Sequence, residues 1–262
     1  MNPARITAIV YRHGYDIRRN LNRITETVYW PFQNILVWGL FTLYLAREHG
    51  LQPGLVTFLL GAITLWGMFY SFQRDMATGF MEEIFSRNLI NLFSTPVTIS
   101  EYLAGMVIIS LVKALAGILV SVLLAWVCYA TDLCPALIRT VPYLLVLLLF
   151  SICMGLVVTA LIVRFGTKLQ TLAWSLAGLL MPVSCVFYPV TTLPRWLHPV
   201  AMLLPTTHAF EGMRQMLTGG NPTGHHLAWG LGLDAGYLVA AAFLFRAMFL
   251  SARARGLLIR PD

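Results

Sequence analysis

Charge is scarce in this chain. Only 11% of its 262 residues are Asp, Glu, Lys or Arg, against about a quarter in ordinary soluble domains. Lysine occurs twice, at Lys113 and Lys168, and neither follows a glycine. The G-x-x-x-x-G-K-[ST] phosphate loop is therefore absent, and the chain does not hydrolyse ATP by that route. There is no H-E-x-x-H metal motif and no G-x-S-x-G nucleophile elbow. Cysteine is equally sparse. Cys128, Cys134, Cys153 and Cys185 lie in apolar sequence, too few for a disulfide framework, and read as small core residues. These absences exclude a soluble enzyme, a disordered regulator and a secreted disulfide scaffold.

What the chain has in abundance is apolar sequence, 58% of it, with a mean hydropathy of +0.74. A bilayer core of about 30 Å needs roughly 20 mostly apolar residues per helix. Six runs meet that need: 28–45, 54–73, 105–130, 141–163, 171–190 and 227–250. The first is interrupted by Pro31, Gln33 and Asn34. The expected fold is all-α, a single polytopic membrane domain over 1–262. It comprises an amphipathic interface helix over 1–27, a six-span bundle over 28–250 and a tail over 251–262. The opening residues do not read as a cleaved signal peptide, because arginines continue to Arg23 and no small-residue cleavage site follows.

The net charge of +7 invites a nucleic-acid reading, but its distribution points elsewhere. Twelve of the eighteen Lys and Arg residues fall in 1–27, 74–104, 164–170 and 251–262, and four in the alternate segments. Positively charged loops stay cytoplasmic, so both termini are expected in the cytoplasm. No nucleic-acid partner is expected.

Three non-spanning segments carry further information. Residues 1–27 interleave Arg5, Arg12, Arg18, Arg19 and Arg23 with apolar residues, a basic amphipathic pattern suited to the inner membrane face. In 74–104, Met81, Ile84, Phe85, Leu89 and Leu92 recur at helical spacing, with Glu82, Glu83, Arg87, Asn88 and Asn91 on other faces. Pro96 ends that helix, and Ser100-Glu101 opens the next. An apolar stripe beside an acidic-polar face suits docking into a groove of a soluble partner. The external segment 191–225 is divided by Pro194, Pro199 and Pro205 yet stays apolar, as expected of helices that re-enter the outer leaflet. A helical stretch from about Thr207 to Leu217 ends at Gly219-Gly220. His198, His208, His225 and His226 gather here and read as a wet surface cluster rather than a metal site.

Ionisable residues inside spans are the usual functional signal in transporters. Glu211 reads as lying outside the core, and Lys113 as snorkelling inward. Asp234 alone stands within a span at evident cost. With fifteen Phe, ten Tyr and seven Trp, a pathway through such a bundle favours an amphiphilic cargo. Six spans leave little room for a wide path and supply no energy source. Both gaps close if two copies pair symmetrically and a separate ATPase docks below.

Two sets of motifs carry a resemblance. One is Arg87-Asn88-Leu89-Ile90-Asn91-Leu92-Phe93-Ser94-Thr95-Pro96-Val97, followed by Tyr102-Leu103-Ala104-Gly105. The other is Val186-Phe187-Tyr188-Pro189, Leu193-Pro194, Leu204-Pro205 and Gly212-Met213-Arg214. In their order and spacing, over essentially the whole chain, the sequence resembles the type-2 permease class of ABC exporters. These are the bacterial membrane subunits for drug, lipid and glycoconjugate export. Members often carry a glutamate where this chain has Asn91, and Glu82 and Glu83 stand earlier as the acidic contact.

The resemblance implies a homodimeric permease of the bacterial inner membrane beside a separate nucleotide-binding ATPase, with ATP and Mg²⁺ on that partner and no cofactor in this chain. It implies ATPase coupling through Glu82, Glu83, Arg87, Asn88, Asn91 and Pro96. The exit is assigned to Phe187, Tyr188, Pro189, Pro194, Trp196 and Pro205. No catalytic or metal-binding residue is expected. The alternatives are a stand-alone carrier or channel, and a membrane-embedded lipid-modifying enzyme.

Overall fold

The computed structural model describes residues 1–50, 53–86, 88–218 and 224–254. Among these there is no strand. Helix α1 (Pro3–Arg19) begins with Pro3 in its first turn and the Asn2 side chain accepting from the Ala4 N–H, which satisfies one orphan donor. It stops at Asn20, whose backbone is extended. The amphipathic helix expected over 1–27 is therefore shorter, and 21–27 instead open α2 (Leu21–His49).

Helix α3 (Pro53–Phe85) has 33 residues, about 50 Å at 1.5 Å per residue. It outreaches a 30 Å bilayer core by several turns. The helix expected within 74–96 is thus not separate: 74–85 continue α3, and only the six-residue α4 (Leu89–Ser94) follows. The apolar stripe is also differently employed. Met81, Ile84 and Leu92 are buried with Ile9, Tyr102 and Met106 of the chain's own bundle, while Phe85 stays exposed. The chain's own helices thus cover most of the stripe read as a docking face.

Helix α5 (Ile99–Tyr129) opens with a capping box between Thr98 and Glu101, two orphan donors satisfied reciprocally. Glu101 also accepts from the Asn2 N–H at 2.7 Å, which ties the start of α1 to the start of α5. After the short α6 (Cys134–Arg139), helix α7 (Val141–Phe165) runs through the middle of the bundle against α3, α10 (Pro205–Leu217) and α11 (His225–Ala254). Gly155 of α7 permits the approach to α3: a Cβ there would lie 2.9 Å from Met76 Cβ, the small-residue contact typical of packed membrane helices.

Among the described residues, four helices are long and apolar enough to cross a membrane: Gly54–Phe85, Ile99–Tyr129, Val141–Phe165 and His225–Ala254. Helix α2, holding the expected run 28–45, is 29 residues long but more polar. The run 171–190 differs most. Only α8 (Leu172–Leu180) is helical, about 14 Å, and turns follow to Tyr188. Short α9 (His198–Met202) and α10 occupy the expected re-entrant segment. Helix α10 begins two residues before the expected Thr207; Gly219-Gly220 and residues 255–262 of the tail lie outside the described residues. All four cysteines are free thiols, Cys153 and Cys185 buried and Cys128 and Cys134 exposed.

Candidate functional site

At the α10 end of the bundle, one helix face holds a stretch of non-helical backbone. Thr207, Glu211 and Arg214 follow at i, i+4 and i+7, so they share a face of α10. The Thr207 hydroxyl donates to the Val183 carbonyl at 3.2 Å, and Thr206 pairs with the Ser184 hydroxyl at 2.8 Å. Glu211 Oε1 accepts from the Val190 N–H at 2.6 Å and pairs with Arg214 Nη1 at 2.9 Å. Arg214 Nη2 donates to the Cys185 and Tyr188 carbonyls at 2.8 and 3.0 Å, with its guanidinium over the Phe58 ring. Cys185 itself has φ +55°, the left-handed region that favours glycine. Glu211, placed outside the core by sequence, is instead buried.

The residues expected to form the exit lie in and beside this stretch. Phe187 stacks on Trp38 of α2 with ring centroids 4.4 Å apart. The Tyr188 hydroxyl donates to the Pro182 carbonyl. Pro205 is buried at the first turn of α10, whereas Pro189, Pro194 and Trp196 are exposed. Tyr188 is thus held by Arg214 of α10 and Pro205 opens that helix, whereas Phe187 packs on α2 and Pro194 and Trp196 stay exposed.

Between α2, α3, α5 and α8 lies a cavity of about 280 Å³, near the lower bound of ordinary ligand pockets at about 300 Å³. Trp30, Trp38, Trp66 and Tyr70 form aromatic walls, and Arg74, Asp75 and Lys113 close the end nearer α1. Lys113 Nζ is 2.7 Å from Asp75 Oδ2, and Arg74 Nη2 is 3.5 Å from Asp75 Oδ1. Lys113, read from sequence as snorkelling, is therefore held by an acidic partner on α3. Asp75 and Lys113 also wall a second, smaller cavity with His13, Arg23 and Glu82. That cavity shares those last three residues with a third space between α1 and α3. The three spaces form a chain from the α1 surface into the bundle.

The coupling candidates cluster at the same end. Arg12 Nη2 reaches Glu83 Oε1 at 2.6 Å, Asn88 Nδ2 donates to Glu83 Oε2 at 2.7 Å, and Asn91 Nδ2 donates to Asn88 Oδ1 at 3.3 Å. One polar string thus runs from α1 through α3 to α4. Glu83 is 3% exposed and turned inward. Glu82 stays half-exposed and binds Arg23, which also pairs with Asp16. The Pro96 carbonyl accepts from Arg5. Arg87 lies outside the described residues.

His13 is buried beneath this string. Burial lowers its pKa below 6.5, outweighing attraction by Glu83 at 3.9 Å and by Asp16, while Arg12 and Arg23 lower it further; on its remaining side stands the Tyr102 ring. The undocked helix therefore takes up a proton more readily than the docked one, and stability rises with pH through this window. Thermal unfolding of the detergent-solubilised protein should show full stability above about pH 6.5 and loss below it. His13→Phe should flatten that acid limb; an unchanged profile in the variant would remove His13 as its source.

Asp234 of α11 is 1% exposed, with neither carboxylate oxygen hydrogen-bonded, and its backbone carbonyl lies 4.0 Å from Cys153 Sγ. It does not line the cavity of α2, α3, α5 and α8. Three of the histidines read as a wet cluster do gather, but from the surface inward: His225 is exposed and lies beside His226, which faces a buried His208 at 3.2 Å, itself bonded to the Met202 carbonyl at 3.0 Å. Among the described residues no three His, Cys, Asp or Glu side chains converge as metal ligands.

The chain matches the family model described as ABC-2 type transporter over residues 16–218. No curated protein matches it.

Proposed function

Since the chain belongs to the ABC-2 type transporter family and is a multi-pass membrane permease of an ABC transporter, we propose that it forms half of a homodimeric exporter in a bacterial inner membrane. A separate ATPase binds and hydrolyses ATP with Mg²⁺, and the cargo is a hydrophobic or amphiphilic molecule such as a drug, a lipid or a lipid-linked glycan. In this reading the α1 end faces the cytoplasm, as the arginine distribution favours. Helix α2 and the broken crossing over 171–190 join the four long helices to make six passages. Non-helical backbone at membrane depth is tolerated only where protein covers it, and α10 supplies that cover.

One observation carries the cargo assignment: an aromatic-walled cavity of about 280 Å³ among helices apolar enough to cross a membrane. Coupling runs through the polar string of Arg12, Glu83, Asn88 and Asn91. The ATPase meets the exposed surface of Glu82, Phe85, Asn91 and Pro96. Closure of the nucleotide-bound ATPase biases the bundle only to the extent that it binds one conformation more tightly. The string converts a displacement of α4 into one of α1 and α3.

The test is gentle extraction of the native protein followed by mass spectrometry of what remains bound. The expected result is a soluble ATPase at equal copy number with two copies of this chain. Purified chain that moves amphiphiles across vesicles with no ATPase present would overturn the reading in favour of a self-sufficient carrier.

A further inference from the structure

We propose that the α2, α3, α5 and α8 cavity is a loading site for an amphiphile with an acidic head, a phosphate or carboxylate. The head rests on Lys113 and Arg74, and the apolar body lies against Trp30, Trp38 and Trp66. This rests on the permease reading and narrows its cargo by charge.

Three observations lead to it. The first is shape. The cavity has aromatic residues along its length and charge at one end only, the layout of an amphiphile with its head toward α1. The second is charge. Arg74, Asp75 and Lys113 sum to one positive charge, and their side chains are 7%, 7% and 16% exposed. Asp75 neutralises one cation and leaves the other short of a counter-ion in a dry setting, where an acidic oxygen forms strong charge-assisted bonds. Glu26 also lines the cavity, but it is exposed at the mouth, where water and salt screen it. The third is access. Asp75 and Lys113, with Glu26, form the wall shared with the smaller cavity toward α1, so the pair separates a polar approach from an aromatic interior. A head entering from the α1 side passes Arg23 and Glu82 before it meets Lys113. An incoming anion can take Lys113 from Asp75, because Arg74 still balances that carboxylate.

The inference is tested on the full chain in a neutral detergent, without ATPase or transport. The probes are phosphatidic acid with brominated chains, diacylglycerol with the same chains, a trimethylammonium amphiphile of equal length, and inorganic phosphate. Binding is read as quenching of tryptophan fluorescence. Phosphatidic acid is expected to bind about tenfold more tightly than diacylglycerol, a difference of about 1.4 kcal/mol. Lys113→Gln, which leaves Arg74 on Asp75, should bring the two within about threefold. Glu26→Gln should preserve or increase the preference. Equal binding of the acidic and neutral lipids, tighter binding of the cationic one, or a preference that survives Lys113→Gln would each overturn the inference. Displacement of phosphatidic acid by equimolar inorganic phosphate would assign the site to a free anion and overturn the amphiphile. Any of these failures leaves the permease reading intact. A missing ATPase partner would overturn that reading while leaving the binding result in place.

Discussion

Replacing Asp75 by alanine is expected to cost about 3–5 kcal/mol of stability, the usual penalty for removing one partner of a buried ion pair. The size follows from what is left behind. Arg74 and Lys113 both lean on the Asp75 carboxylate and are nearly as buried as it is. Without it, two cations face each other with little water, and Arg74 keeps only a distant seat over the Tyr70 ring, 5.6 Å from its centroid. Lys113→Met should cost much less, since Asp75 keeps Arg74. The double variant Asp75→Asn with Lys113→Met should regain more than half of the loss, because neutral groups of similar volume often replace buried ion pairs without penalty. Denaturant unfolding of the native protein, Asp75→Asn, Lys113→Met and their double variant in one detergent closes the cycle and gives the coupling energy, expected at about 1–3 kcal/mol. Losses that simply add would show that the pair does not hold α3 to α5.

The same pair shows where the sequence was legible and where it was not. The apolar run from residue 54 ends at 73 by composition, with Arg74 and Asp75 next in the chain. Yet Met76, Ala77, Phe80, Met81 and Ile84 continue the buried face past them, so α3 crosses Arg74 and Asp75 without a break. Helical spacing could have shown this. The partner Lys113, in another helix and 38 positions away, leaves no local trace. Local signals did better: the helix expected to open at Ser100-Glu101 begins at Ile99, the one expected from about Thr207 begins at Pro205, and the arginine-rich opening forms α1. Gly212 is explained only in three dimensions, since a Cβ there would lie 2.3 Å from the Tyr143 ring. The run 171–190 was misleading because hydropathy measures composition and not whether backbone groups bond within a helix. Its second half bonds to α10 instead. Of the residues that make those bonds, Thr206 is absent from the sequence reading, and Thr207 and Glu211 enter it only as a helix start and as a residue outside the core; the spacing of Thr207, Glu211 and Arg214 on one helix face was the available signal. The polar cluster of Glu82, Glu83, Asn88 and Asn91 was legible, but not that Glu83 turns inward, since burial depends on α1 folding back over it.

Arg214→Ala is expected to cost a comparable 3–5 kcal/mol and to loosen the turn over 183–190. Its guanidinium is 13% exposed and serves the Glu211 carboxylate and two backbone carbonyls at once. Truncation strands all three, and an unsatisfied backbone group in a water-poor region costs several kcal/mol on its own. Relaxation of the turn limits the total, because freed carbonyls move toward water at the rim near Trp196. Glu211→Gln should cost less, since an amide oxygen can still accept from the Val190 N–H. The discriminating variant is Arg214→Lys. An ammonium is a point charge without the planar fork that reaches acceptors on two sides, so it should recover less than half of the loss. Proteolysis within 183–197 should accelerate in both Arg214 variants before global unfolding, because that stretch would open locally first. Native stability in Arg214→Lys would mean that charge alone holds the turn over 183–190, and that the guanidinium's reach to the Cys185 and Tyr188 carbonyls is incidental.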